Sequence, residues 1–164
     1  MATENLKSGA ITNRDATPAV LTTANPGQVF RSYGKIEAAG GDLASTYRFC
    51  TVPSNAKLVR CWFSSDDVSA SGATLNLGLY QTTANGGAVV DQDFFASAID
   101  VATSAVAITE VTFERGATLI DELEKPLWER LGLSADSQRD YDVVGVTATA
   151  GATGTMVAWV EYVI

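Results

Sequence analysis

From Gln28 onward, apolar and polar residues alternate in short runs cut by Gly, Asn and Pro. Alternation with a period of two marks half-buried strands, because successive side chains leave a strand on opposite faces. The expected strands are 28–37, 45–52, 57–65, 73–82, 105–114, 141–149 and 155–164, with 89–101 as a further segment. In 45–52, Tyr47, Phe49 and Thr51 fall on one face, and Arg48 and Cys50 on the other. In 57–65, Leu58, Arg60 and Trp62 oppose Val59, Cys61 and Phe63. Both of those faces are substantially apolar, so this strand is expected to be covered on both sides. In 73–82, Leu75, Leu77 and Leu79 read inward and Asn76, Gly78 and Tyr80 outward. The last run, Thr155–Ile164, is expected to be part of the sheet.

Turns are expected at Gly40-Gly41-Asp42, Val52-Pro53-Ser54-Asn55, Asp66–Gly72, Asn85-Gly86-Gly87 and Ala150–Gly154. The apolar patch Phe94-Phe95-Ala96 is read as a short helix across the mouth of a barrel. A second helix, Pro126–Leu131, is read from Leu123, Leu127 and Leu131 at helical spacing. Pro126 suits its first turn, and Gly132 suits its stop. Leu127 or Trp128 is expected to plug the core. Roughly seven or eight strands with one short helix make an all-β chain. The expected architecture is a jelly-roll-like antiparallel β-sandwich, with an immunoglobulin-like sandwich as the alternative. No internal repeat of fixed period is present.

Residues 1–27 differ from the rest of the chain. They are Thr- and Ala-rich and carry Gly9, Pro18, Pro26 and Gly27, and the two prolines bias their neighbours toward extended backbone. The division expected is an extended N-terminal arm, 1–27, and one domain, 28–164. Fully stretched, such an arm reaches about 90 Å. It is suited to becoming ordered only against a neighbour.

Composition narrows the function. The length of 164 residues fits one domain with a core large enough to need no disulfide or metal staple. Charged residues are 18%, below the usual share of about 25%, as suits a subunit with large protein contacts. The net charge is −8 and the eleven basic residues are dispersed, which argues against nucleic acid as partner. No apolar run approaches a membrane span, and the first residues carry neither a basic n-region nor an apolar h-region. Neither a membrane nor an export route is expected.

Chemistry is sparse. The chain has no histidine, which removes Ser-His-Asp and Cys-His catalysis and His-built metal centres. Cys50 and Cys61 are placed on successive strands closed at Val52–Asn55. That hairpin would set Cys50 opposite Lys57 and Cys61 opposite Thr46, too far out of register for a disulfide. Both are expected to be reduced core residues. The carboxylate pairs Asp66/Asp67, Asp91/Asp93, Asp121/Glu122 and Asp140/Asp142 sit in or beside expected loops and read as solvated charge. Asp91 and Asp93, with Asn85 near, are the only candidates for a weak calcium site. No catalytic, cofactor-binding or metal-binding residue is assigned, no cofactor is expected, and the chain is read as no enzyme. A hydrolase working with Asp or Glu alone is the weakest alternative. Trp62, Trp128 and Trp159 each lie in apolar runs and are assigned to the core. Were Trp62 and Trp159 exposed, they would instead suit a carbohydrate-binding face.

Four stretches carry a resemblance. They are Gln28-Val29-Phe30-Arg31-Ser32-Tyr33-Gly34; Val52-Pro53-Ser54-Asn55-Ala56-Lys57-Leu58; Leu77-Gly78-Leu79-Tyr80 followed by Asn85-Gly86-Gly87-Ala88-Val89-Val90-Asp91; and Leu127-Trp128-Glu129-Arg130-Leu131-Gly132-Leu133. Together they resemble the small head proteins of tailed bacteriophages, the capsid cement or decoration proteins, over residues 28–164. The resemblance implies a virion structural protein on the exterior of the capsid, made in the host cytoplasm. It would bind the major capsid protein and sister copies of itself, as a dimer or trimer, and stabilise contacts between capsomers. It transfers no binding residue by position. A phage fibre or carbohydrate-binding β-sandwich module is the alternative.

Overall fold

The computed structural model describes residues 28–68, 72–102, 105–112, 122, 124–148 and 152–164. The arm, residues 1–27, lies outside the described residues, as do Asp121 and the first two residues of the turn at 150–154. Among the described residues there are eight strands: β1 Phe30–Ala39, β2 Thr46–Pro53, β3 Lys57–Ser65, β4 Thr74–Gln81, β5 Val89–Asp100, β6 Val106–Glu110, β7 Asp140–Thr147 and β8 Thr153–Val163. An α-helix, α1, spans Leu127–Arg130, and a 3-10 turn spans Thr83–Asn85. The strands form two antiparallel four-stranded sheets, ordered β1-β8-β3-β6 and β2-β7-β4-β5. Successive strands largely alternate between the sheets, which is the jelly-roll order the alternation pattern led us to expect.

The core lies between the sheets. Leu75, Leu77 and Leu79 of β4 are fully buried, facing Phe63, Met156, Ala158 and Val160 of the opposite sheet. Phe49 meets Phe63 edge-to-face across the sandwich, with ring centroids 6.3 Å apart. The C-terminal run is the central strand β8, paired with β1 on one side and β3 on the other. α1 closes one end of the sandwich: the amides of Leu127 and Trp128 donate to the carbonyls of Ala56 (2.8 Å) and Ser54 (2.9 Å). Leu127 is the plug, fully buried, while Trp128 is half-buried.

Four expectations are corrected. β2 and β3 are not a hairpin but belong to different sheets. Their connection is an arch: Ser54 donates its amide to Arg139, and its carbonyl and that of Ala56 are taken by α1, so none of these groups closes a hairpin turn. The cysteines are free, as expected, but they lie on strands of opposite sheets rather than along a hairpin. Cys50 does not share a face with Arg48. A bulge at Phe49 shifts the pairing between Arg48 and Cys50, which turns Cys50 toward the core and leaves Thr51 exposed. Phe94-Phe95-Ala96 is not a helix but the middle of β5, buried in succession where large bulges break its pairing with β4.

Two backbone approaches shape the sandwich. A Cβ at Gly34 would lie 1.8 Å from the Phe49 carbonyl oxygen, so β1 and β2 run against each other and close the sandwich along one side. The Thr51 amide donates to Ser32 Oγ across this seam at 3.3 Å. A Cβ at Gly78 would lie 2.2 Å from the Asp91 carbonyl oxygen, because the bulged start of β5 folds over the outer face of β4.

Candidate interaction face

The outer faces of the two sheets differ. On the β2-β7-β4-β5 sheet, the chain covers itself. Tyr80, Val144 and Val146 face outward yet are buried, forming a small cluster of their own. Arg48 spans this surface. Its guanidinium donates to Asp142 Oδ2 (2.6 Å), to the Gln81 carbonyl (2.9 Å) and to the Gly87 carbonyl (3.1 Å), and lies 5.7 Å from the Tyr80 ring centroid. Burial raises the Tyr80 phenol pKa, and the Arg48 charge partly offsets that rise. Arg48 thus ties the β4–β5 turn to β7. Charge-assisted hydrogen bonds of this kind are worth about 1.5–3 kcal/mol, less where solvent screens them. With side chains 31% and 14% exposed, Arg48 and Asp142 are only partly screened. Arg48→Ala is expected to lower unfolding free energy by about 1–3 kcal/mol in urea titration. A change within about 0.5 kcal/mol would show that the turn holds without it.

On the β1-β8-β3-β6 sheet, no other described segment covers the outer face. The pairing register sets Tyr33 beside Trp159, Trp159 beside Trp62, and Trp62 beside Glu110, in one row across four strands. Trp62 and Trp159 stack at 6.0 Å with planes 18° apart, and Tyr33 tilts against Trp159 at 6.5 Å. Arg31 lies over the Trp159 ring, 4.6 Å from its centroid, and 5.6 Å from Tyr33. Both tryptophans are half-buried and Tyr33 is 53% exposed. The expectation that Trp62 and Trp159 belong to the core is therefore corrected. β3 and β8 are apolar on both faces, and the register places these indoles on the outer one.

Charge is unevenly shared. This face holds Arg31, Lys35, Lys57 and Arg60 against Glu37, Glu110 and Glu161, with Asp66 at its margin beside Thr155, so its charges balance on a chain of net charge −8. The next row along the strands is Arg31, Glu161, Arg60, a carboxylate flanked by two arginines. Trp159 stacks on Trp62 and carries Arg31, so its own ring is a poor platform for a sugar.

The other sequence candidates do not converge. Asp66 accepts the Thr155 amide at 2.7 Å and so ties the end of β3 to β8, while Asp91 accepts the Asp93 amide at 3.3 Å within its own strand. Asp140 opens β7, and Asp142 pairs with Arg48. Among the described residues no three His, Cys, Asp or Glu come together as a metal site. A shallow polar cavity of about 320 Å³ lies beside the β2–β3 arch, lined by Ser54, Asp136, Arg139 and their neighbours. There Ser54 Oγ donates to Asp136, and that bond, with the Gln138 amide, holds the Asp136 carboxyl below its ordinary pKa. A depressed carboxylate is a poor general base, so this arrangement pins a loop rather than activating the serine. Burial pushes the Cys50 thiol up to about 11 and the Cys61 thiol well above its ordinary value, so both are poor nucleophiles.

The fold is similar to that of two solved structures. One is a chain of the capsid of Ralstonia phage GP4, with a TM-score of 0.55 and 16% identity over 84% of both chains. The other belongs to the cyanophage Pam1 capsid asymmetric unit, with a TM-score of 0.52 and 20% identity over 92% of this chain and 97% of that one. No protein-family model and no curated protein matches the sequence. At these identities the likeness establishes the fold.

Proposed function

We propose that the chain is a structural subunit of a phage virion, a cement or decoration protein that sits on the outside of the capsid and stabilises contacts between capsomers. The observation that carries this reading is the extent of the fold match: the same jelly roll recurs over 84–92% of this chain in two phage capsids. A low share of charged residues and an open aromatic face are compatible with a protein whose work is contact. Its partners would be the major capsid protein and sister copies in a dimer or trimer, and no bond is made or broken. The arm, residues 1–27, would lie along a neighbouring subunit as an added strand, and the many copies on one shell would supply avidity.

The test is co-sedimentation of the purified chain with empty heads of the phage that encodes it. The full chain is expected to saturate the heads. Deletion of residues 2–26 is expected to leave a folded body whose retention falls about tenfold or more, as lost avidity predicts. Full-length protein that stays in the supernatant at saturating concentration would reject the virion role. Truncated protein that binds like the parent would reject the arm's part in it.

A further inference from the structure

We propose that the open face of the β1-β8-β3-β6 sheet docks a carboxylate-rich protein surface. Tyr33, Trp159 and Trp62 form its apolar centre, and Arg31, Lys35 and Arg60 supply the cations. The inference rests on the virion reading for who bears that surface, and adds what its chemistry must be.

Three features support the assignment. The residue types are those that carry most binding energy at protein interfaces: Trp, Tyr and Arg. They are ordered in advance, because the indoles stack on each other and Arg31 is held on Trp159. Side chains fixed before contact lose less entropy on binding. Finally, among the described residues none of Arg31, Lys35 or Arg60 has a carboxylate within ion-pair distance, so their charge is available.

Other occupants fit less well. A second copy facing this one would form an isologous contact about a two-fold axis lying in the interface. With that axis along the strands, the Arg31-Glu161-Arg60 row meets itself reversed, arginine against arginine. With the axis along the aromatic row, the same residues meet the row of Lys35, Val157 and Ser64. Centred on Trp159, both arrangements oppose like charges in a desolvated interface; an axis between β1 and β8 would instead set Arg31 against Glu161, and self-association in the test below reports that case. Nucleic acid needs free ring faces for its bases and an unbroken cationic track, and here the rings are paired and Glu161 interrupts the arginines. The contacts already made by Trp159 argue against a glycan stacked at the centre of the row.

The test uses the full chain with Trp128→Phe, so that emission comes from Trp62 and Trp159 alone, and poly-L-glutamate as probe. Saturable quenching or shift is expected at low ionic strength. It should weaken about tenfold toward physiological salt, where the Debye length is about 8 Å. Arg31→Ala with Arg60→Ala should raise Kd about tenfold or more, and Tyr33→Ala severalfold. Arg139→Ala, which removes an exposed cation from the loop before β7, should change it less than twofold. Far-UV circular dichroism establishes that each variant is folded. The proposal is overturned if no saturable response occurs, or if the Arg31/Arg60 variant binds like the parent. Tighter binding of heparin or single-stranded DNA than of polyglutamate also overturns it, as does self-association that the Arg31/Arg60 variant abolishes. No shell enters this measurement, so it can fail while the chain still sediments with heads, and the reverse.

Discussion

Gly34→Val is expected to cost about 3 kcal/mol or more of unfolding free energy, at the upper end of what overpacking does. The reason is the β1–β2 seam. The three atoms nearest a Cβ at Gly34 are the Phe49 carbonyl oxygen at 1.8 Å, its carbonyl carbon at 2.4 Å and its Cα at 2.8 Å. All three are backbone, so no rotamer change makes room. β1 must move away from β2, or the edge must open and give up the Ser32–Thr51 bond and the Cα–H···O contact the glycine allows. Gly34→Ala should be nearly as damaging, because the clash begins at Cβ. Ser32→Ala removes one hydrogen bond and keeps the approach, and should cost about 0.5–1.5 kcal/mol. Gly34 also adjoins Tyr33, so displacement of β1 should shift Trp159 emission before global unfolding. Urea titration by fluorescence and circular dichroism together decides the matter. If Gly34→Ala lies within about 1 kcal/mol of the parent, the seam is not close-packed.

Nothing in the sequence singled out Gly34. It lies in an alternating run, and the strand facing it belongs to the other sheet. Gly78 is the same case, required by backbone folding over it from β5. What the sequence does make legible is local. Leu75, Leu77 and Leu79 alternate strictly in a strand that is polar or small on its other face, and all three are fully buried. Parity fails where the chain carries an extra residue: the bulge at Phe49 reverses Cys50 and Thr51. It also fails where both faces are apolar. β3 and β8 offer Trp62 and Trp159 to either side, and only the register with β1 shows that they stack outside the core. The β2–β3 arch was missed for a related reason. A short turn between two strands reads as a hairpin unless something else takes its backbone groups. Here α1 does so, from more than seventy residues further along the chain. The candidate face is therefore a product of pairing: its residues come from β1, β3 and β8, and no local pattern joins them.

The helix was legible, and its side chains divide the work in a way that can be measured. α1 has only four residues, too few to be stable through its own hydrogen bonds. Its place depends on Leu127, which is fully buried in the main core cluster, and on the two amides it donates to the β2–β3 arch. Leu127→Ala should therefore cost about 2–5 kcal/mol, the lost transfer energy plus that of the cavity left behind. In a domain of this size that lowers Tm by about 2–4 °C for each kcal/mol. The effect should not stay local. Without the plug, the arch loses the amides that satisfy Ser54 and Ala56, and Arg130 loses its position 4.9 Å from the Phe94 ring centroid. Phe94 belongs to the bulged strand β5, so loosening at one end of the sandwich should reach both sheets and unfolding should remain a single transition. Trp128→Ala removes a larger side chain from the same turn, but a half-buried one, and should cost less than half as much. Thermal melts of the two variants against the parent separate the possibilities. If Trp128→Ala is the more damaging, the indole and not the leucine anchors the helix, and the end of the sandwich is closed from outside rather than plugged from within.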